Sequence, residues 1–108
     1  MLTYKSSLAC HGLDRGIFLY LMGFEFDPEK SAANKTQRGI DFAEAQEIWN
    51  DTGRLEIPAR SLDEPRFQVI GRIGERTWSA FITYRDEKIP IISVRRARPD
   101  EEARYLAD

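Results

Sequence analysis

The feature that most constrains the fold is a change of hydrophobic period near Gly53. Before this point, Phe42, Ala45 and Trp49 are three and four residues apart, which is typical of one apolar helix face. After it, apolar and polar residues alternate in four short runs, as in half-buried strands. The runs contain Leu55 and Ile57, Phe67 and Val69, Trp78 to Tyr84, and Ile89 to Ser93. The separators are short enough for antiparallel hairpins, so the pattern predicts helices followed by a four-stranded antiparallel sheet.

Local signals mark the ends of the predicted helices. Asp27 before Pro28 is a typical helix start, because the carboxylate caps the helix and proline suits its first position. Gly39 favours a helix end. Asp41 and Glu44 have the spacing of a capping box at the start of a second helix. The sequence therefore predicts one helix from residue 28 to about residue 38, and a second that begins at once.

The two ends of the domain add one strand and one helix. Phe24 and Phe26 alternate with polar residues and predict a strand within residues 22–27. Pro99, followed by three acidic residues, predicts a helix that extends to about Ala107. The expected fold is α+β, with two N-terminal helices packed on one face of the four-stranded antiparallel sheet and a C-terminal helix. The predicted core contains Phe42, Ala45, Trp49, Val69, Ile82 and Ile92.

The N-terminal segment differs from the rest of the chain. We expect residues 1–21 to form an extension and residues 22–108 to form one domain. The apolar run at residues 17–22 is too short to cross a bilayer and lacks the flanks of a signal peptide. Cys10 and His11 are the only residues of their types, so we expect no disulfide, metal site or cofactor. These features favour a cytoplasmic protein that does not enter membranes.

The charge is unevenly distributed. The segment from Arg66 to Arg98 holds eight basic and three acidic residues, a net charge of +5. The whole chain carries −2, so the remainder carries −7. Such a division predicts a basic surface for a polyanion, although a solvated basic sheet edge would give the same pattern.

Three blocks of sequence form a recognisable pattern along the chain. The first block spans residues 24–30 with Asn34 and leads into residues 39–42 with Ala45. The second is Arg66-Phe67 with Ile70-Gly71, and the third spans residues 91–97 with Arg104 and Tyr105 behind it. In this order the blocks resemble the BrnT family of toxins, and the resemblance covers residues 22–105.

The resemblance implies a RelE-like fold and a ribonuclease that belongs to a type II toxin–antitoxin pair. It also implies a hetero-oligomer with a BrnA-type antitoxin, which is a ribbon-helix-helix protein. Operator DNA is then contacted only through the antitoxin. Two positions depart from the family pattern. Gln37-Arg38 stands where the family commonly has Lys-His, and Pro90 stands where it commonly has Arg. A histidine lost from proton transfer would leave a slower or inactive toxin, because arginine stays protonated near neutral pH.

Metal-free RNA cleavage would have to proceed here without histidine in the domain. Stabilisation of a pentavalent phosphate then falls to arginine and lysine, and proton transfer to lysine or tyrosine. Alternation on the last strand predicts Ser93 and Arg95 on an open face and Val94 in the core. The predicted catalytic residues are Lys30, Arg66, Arg95 and Tyr105, and the predicted RNA-binding residues are Arg38, Arg96 and Arg98.

Each of these residues, and the domain as a whole, also has an interpretation without catalysis. Lys30 has Glu25 as a possible ion-pair partner, and Arg104 has Glu101. For the domain, the alternative to a ribonuclease toxin is a non-catalytic nucleic-acid-binding module or an inactivated toxin. A purely structural partner protein with a solvated basic rim is the third interpretation.

Overall fold

A computed structural model describes residues 23–60 and 64–107 of the chain. The predicted extension, residues 1–21, lies outside the described residues. The elements are β1 (Phe24–Glu25), α1 (Pro28–Arg38), α2 (Phe42–Ala45), a 3₁₀ helix (Gln46–Asn50), β2 (Leu55–Ala59), β3 (Arg66–Ile73), β4 (Arg76–Ile82), β5 (Ile89–Arg96) and α3 (Pro99–Ala107). The α+β class is confirmed.

The helix ends follow the local signals in the sequence. The Asp27 side chain accepts a hydrogen bond from the Glu29 amide at 2.8 Å, and α1 ends at Gly39, whose φ of 84° suits glycine. Asp41 and Glu44 form the predicted capping box, with bonds of 2.7 and 3.0 Å. The second helix is only four residues of α-helix before it tightens into the 3₁₀ helix.

The sheet has five strands and is mixed, in the order β1-β5-β4-β3-β2. Strands β2 to β5 form the predicted antiparallel meander. The prediction of a four-stranded, wholly antiparallel sheet is wrong, because β1 adds a fifth strand parallel to β5, with Phe24 opposite Ile89. Alternation along a strand identifies its faces but not its partner, so the sequence pattern did not assign β1 to this edge.

The Asn34 side chain continues the sheet edge where β1 stops. Its amide nitrogen donates to the Val94 carbonyl at 3.0 Å and to the Ile40 carbonyl at 2.7 Å. Its amide oxygen accepts from the Val94 amide at 3.3 Å. One side chain thus supplies both the donor and the acceptor that a neighbouring strand would offer to β5, and it joins α1 to the sheet.

The core lies between one sheet face and the helices α1, α2 and 3₁₀. Five of the six predicted core residues are buried, among them Trp49 at 2% exposure. Ile92 is the exception, because the β4–β5 pairing shifts register at Phe81 and Ile82. Ile82 pairs with Ile91 and Phe81 with Ser93, so Ile92 is the extra residue of a bulge and only partly buried.

Helix α3 packs against the opposite face of the sheet, and its bounds match the predicted helix. It contains no buried residue, so it lies on the sheet as an outer layer rather than as part of the core. Within residues 23–60 and 64–107, no helix has the length and apolar character needed to cross a membrane.

Candidate functional site

A cleft of about 810 Å³ opens beside β1, at the start of α1 and at the end of the sheet where β3 and β5 begin. Its lining includes the predicted catalytic residues Lys30 and Arg66, together with Arg85 and the carboxylates of Glu25 and Glu64. The fold thus brings two of the four predicted catalytic residues together, although they are 36 positions apart in the chain.

Lys30 and Arg66 have no acidic partner among the residues that the structure describes. Lys30 is exposed in the first turn of α1, and the alternative ion pair with Glu25 does not form. The Glu25 Oε2 atom lies 3.6 Å from the Nζ atom of Lys88 instead. The Nε atom of Arg66 is buried and lacks a hydrogen-bond partner within the described part of the chain. A buried donor without a partner is rare, and an ordered water or a bound ligand that reaches it would satisfy it.

The third cation of the cleft is neutralised. Arg85 donates two hydrogen bonds, of 2.8 and 2.9 Å, to the carboxylate of Glu64. These bonds, followed by the charge of Glu64, raise the pKa of Arg85. Asp86 and Glu87 both have positive φ, at 51° and 63°, as in a tight hairpin turn that returns the chain to β5. Lys30 and Arg66 are therefore the cations of the lining without an ion pair among the described residues, and the acidic Glu25 and Asp27 line the same cleft.

Arg95 lies apart from the cleft lining, on the part of the sheet under α3. It shares a face with Ser93 and not with the buried Val94, as alternation predicts, but the face is not open at Arg95. The guanidinium group donates bonds of 2.8 and 2.7 Å to the two oxygens of Glu101. Only 18% of the Arg95 side chain and 13% of the Glu101 side chain are exposed. The guanidinium carbon also lies 5.2 Å from the centre of the Phe81 ring.

Glu101 is the centre of a hydrogen-bond network under α3. Besides Arg95, it accepts from the Gln68 amide at 2.8 Å, from the Ser79 hydroxyl at 3.0 Å and from the Arg98 backbone at 2.9 Å. The bonds from Arg95 contribute most and outweigh burial, so the pKa of Glu101 falls to about 2. Glu101 is therefore ionised at neutral pH and remains paired with Arg95. Among the described residues, Arg104 forms no ion pair with it.

Tyr105 is also held under α3, by a different carboxylate. Its hydroxyl donates to Asp51 at 2.5 Å, and Asp51 also accepts from the backbone of Arg72 at 2.9 Å and of Gly53 at 2.8 Å. The bond to Asp51 raises the pKa of Tyr105. Burial alone would raise the pKa of Asp51, but the three hydrogen bonds together lower it. The Tyr105 proton is thus engaged in a contact between α3 and the body of the domain.

The three predicted RNA-binding residues lie away from the cleft lining. Arg38 is exposed in the last turn of α1, and Arg98 is exposed just before α3. The guanidinium carbon of Arg96 lies 5.6 Å from the centre of the Trp78 ring. Their role in RNA binding stays a prediction.

Three residues of these sites were not singled out from the sequence. Gln68 and Ser79 are buried polar residues within strands, on the face opposite Val69 and Ala80. Their alternation with these apolar residues was the sequence signal that could have indicated a polar cluster on the second face. Phe26 was interpreted as a strand residue within the first family-like block and not as a site residue, yet it is 37% exposed at the cleft.

The described residues thus form a small α+β fold with one cleft in which Lys30 and Arg66 lie without ion pairs. The sequence model of the family described as "Ribonuclease toxin, BrnT, of type II toxin-antitoxin system" matches residues 26–101. This match spans more than half of the chain, so the chain belongs to the BrnT family of ribonuclease toxins, as its motifs predicted. No curated protein was found to be similar to the chain.

Proposed function

We propose that this chain cleaves RNA in the cleft beside β1, without a metal ion, and thereby inhibits translation in the cytoplasm. The observation that carries the proposal is a cleft lined by both Lys30 and Arg66, neither of which forms an ion pair within the described part of the chain. In a family of ribonuclease toxins, a phosphodiester is the ligand that best matches a guanidinium and an ammonium group in one cavity.

The chemistry assigned to the cleft is an attack by the ribose 2′ oxygen on the adjacent phosphorus, while the proton of the 2′ hydroxyl passes to solvent water. The 5′ oxygen leaves, and the product carries a 2′,3′-cyclic phosphate. Arg66 offsets the charge on the equatorial oxygens, because its planar group donates two bonds at once. Lys30 supplies a second positive charge and a proton for the leaving oxygen.

Arg95 and Tyr105 have their polar groups engaged by Glu101 and Asp51, so the proposal does not need them in the reaction. Their predicted catalytic roles would require α3 to move or RNA to reach the sheet beneath it. We therefore assign the phosphate to Lys30 and Arg66 and treat Arg95 as the residue whose substitution tests the assignment.

Neutralisation is assigned to an antitoxin of the BrnA type, a ribbon-helix-helix protein that alone contacts operator DNA. Membership of a toxin–antitoxin family supports the existence of such a partner. Expression of the chain should arrest growth, and co-expression of the small protein encoded by the adjacent reading frame should relieve the arrest. Arrest that persists with that partner present would contradict the pairing.

A non-catalytic nucleic-acid-binding module, or an inactivated toxin, is the second candidate. It is favoured by Pro90, a departure from the family pattern that lines the cleft, whereas Arg38 lies outside the lining. Cleavage assays separate the two functions. Purified full-length protein should cut single-stranded RNA in excess chelator and leave cyclic phosphate ends. A folded protein that binds RNA but leaves it intact would support the binding module, and activity lost with chelator and restored by a metal ion would contradict metal independence.

A further inference from the structure

Two large apolar side chains are exposed in the described part of the chain, Phe26 and Leu106. Leu106 is 63% exposed near the end of α3. Phe26 is 37% exposed and lines the cleft that contains Lys30 and Arg66. An exposed aromatic ring in one cleft with two cations that form no ion pair within the described residues suits a ligand with both a flat apolar part and a negative charge.

The Phe26 ring is held in position by the core. It packs nearly perpendicular to the ring of Phe42, at 86° and with ring centres 5.8 Å apart. Phe42 is 1% exposed, so it anchors the Phe26 ring from the inside. The following residue, Asp27, is fixed by its cap on α1. The ring is therefore preorganised, which reduces the entropy lost when a ligand packs on it.

Part of the cleft lining that includes Phe26 is apolar. Pro28, Pro90 and Ile92 line the same cleft, and the bulge that turns Ile92 away from the core contributes to this apolar part. The polar part of the lining contains the cations Lys30 and Arg66, together with acidic residues and Arg85, which is paired with Glu64. An apolar part and these two cations in one cleft match the two halves of a nucleotide, a base with flat faces and a phosphate.

We propose that a nucleobase of the RNA stacks on Phe26 while the adjoining phosphate is held by Lys30 and Arg66. This subsite rests on the proposed function and specifies how the substrate is oriented in the cleft. Stacking on an aromatic ring accepts any base, so the subsite contributes affinity and position more than sequence selection.

The test measures binding of a DNA oligonucleotide of about eight nucleotides, which has no 2′ hydroxyl and cannot be cleaved by the proposed route. Phe26→Leu keeps an apolar side chain against Phe42 but removes the aromatic face. It should weaken binding about tenfold, and Phe26→Trp should restore it. Leu106→Ser is the control for loss of an exposed apolar group and should bind as the wild type does.

The salt dependence separates stacking from charge. The slope of log affinity against log salt should be unchanged in Phe26→Leu and reduced by about one in Arg66→Ala. Circular dichroism checks that each variant is folded. If Phe26→Leu binds like the wild type while Arg66→Ala does not, base stacking is overturned and the phosphate site survives. If the wild type neither binds the oligonucleotide nor cleaves RNA, the proposed function itself fails.

Discussion

Arg66 and Arg95 project from the same sheet face by strand alternation, yet their surroundings differ. Arg66 lies in the open cleft with a buried Nε that has no partner among the described residues. Arg95 lies under α3 and gives two short bonds to Glu101. The first arginine has a donor without a partner among the described residues, and the second uses its donors to attach a helix. Residue type and face alone therefore do not identify a binding residue, because the neighbours decide what the charge does.

The largest expected effect concerns catalysis in the cleft. Arg66→Ala should lower RNA cleavage about a hundredfold or more, because one charged contact to the transition state is lost. Arg76→Ala is the matched control, since Arg76 is exposed next to the β3–β4 turn at the opposite end of the sheet. Initial cleavage rates of both variants and the wild type on one RNA provide the measurement.

Arg95→Ala in the same assay tests the difference between the two arginines. We expect the folded variant to cleave RNA at roughly the wild-type rate while its unfolding midpoint drops. A well-folded Arg95→Ala protein with a hundredfold loss of cleavage would move the reaction to the sheet under α3.

The second effect concerns stability under α3. Glu101→Ala should lower the free energy of unfolding by about 3 kcal/mol, because it leaves the largely buried Arg95 guanidinium without its carboxylate. Denaturant unfolding of the variant and the wild type measures this difference. Glu64→Ala is the control, because it removes the partner of the exposed Arg85, where little loss is expected. Equal losses in both variants would contradict the distinction.

The third effect is the pH dependence of the same contact. The folded-state pKa of Glu101, about 2, is below its ordinary value of 4.5, so ionised Glu101 stabilises the fold above pH 4.5. This contribution is lost as the pH falls from 4.5 towards 2. After allowance for solvent screening it amounts to about 2 kcal/mol. The stability difference between the wild type and Glu101→Gln should shrink over this range, and a constant difference would argue against the contact.

The smallest effect concerns the second attachment of α3. Tyr105→Phe removes one hydrogen bond to Asp51 and should cost about 1 kcal/mol. That corresponds to a fall of about 4–8 °C in the unfolding midpoint of a domain of this size. Cleavage by the folded variant should stay at the wild-type rate if Tyr105 only attaches α3. A large loss of cleavage without a change in midpoint would instead support the predicted role of Tyr105 in proton transfer.

Local features of the fold were predictable because their causes are local. The cap at Asp27, the stop at Gly39 and the capping box at Asp41 each depend on neighbours within four residues. The bulge at Ile92 and the parallel pairing of β1 depend on strands that are distant in the sequence. The alternation of apolar and polar residues in the sequence gives no sign of a bulge. Ile92 was therefore assigned to the core.

The candidate site was predictable by residue type and not by arrangement. Lys30 and Arg66 were chosen as cations within family motifs, and the fold brings them to one cleft. The pairing of Arg95 with Glu101 was not foreseen, because it depends on how α3 lies across the sheet. Phe26 was missed because a strand pattern indicates which side chains alternate, not which ring remains exposed after the helices have packed.

The amide of Asn34 has a consequence for how the protein behaves at high concentration. Exposed strand edges invite pairing with other molecules and lead to aggregation. Around Val94 this edge is occupied by a side chain that another strand cannot displace without breaking α1 from the sheet. At the opposite edge, Pro58 in β2 offers no amide hydrogen to a foreign strand. Each edge of the sheet therefore contains one position at which the backbone cannot pair with a strand of another molecule.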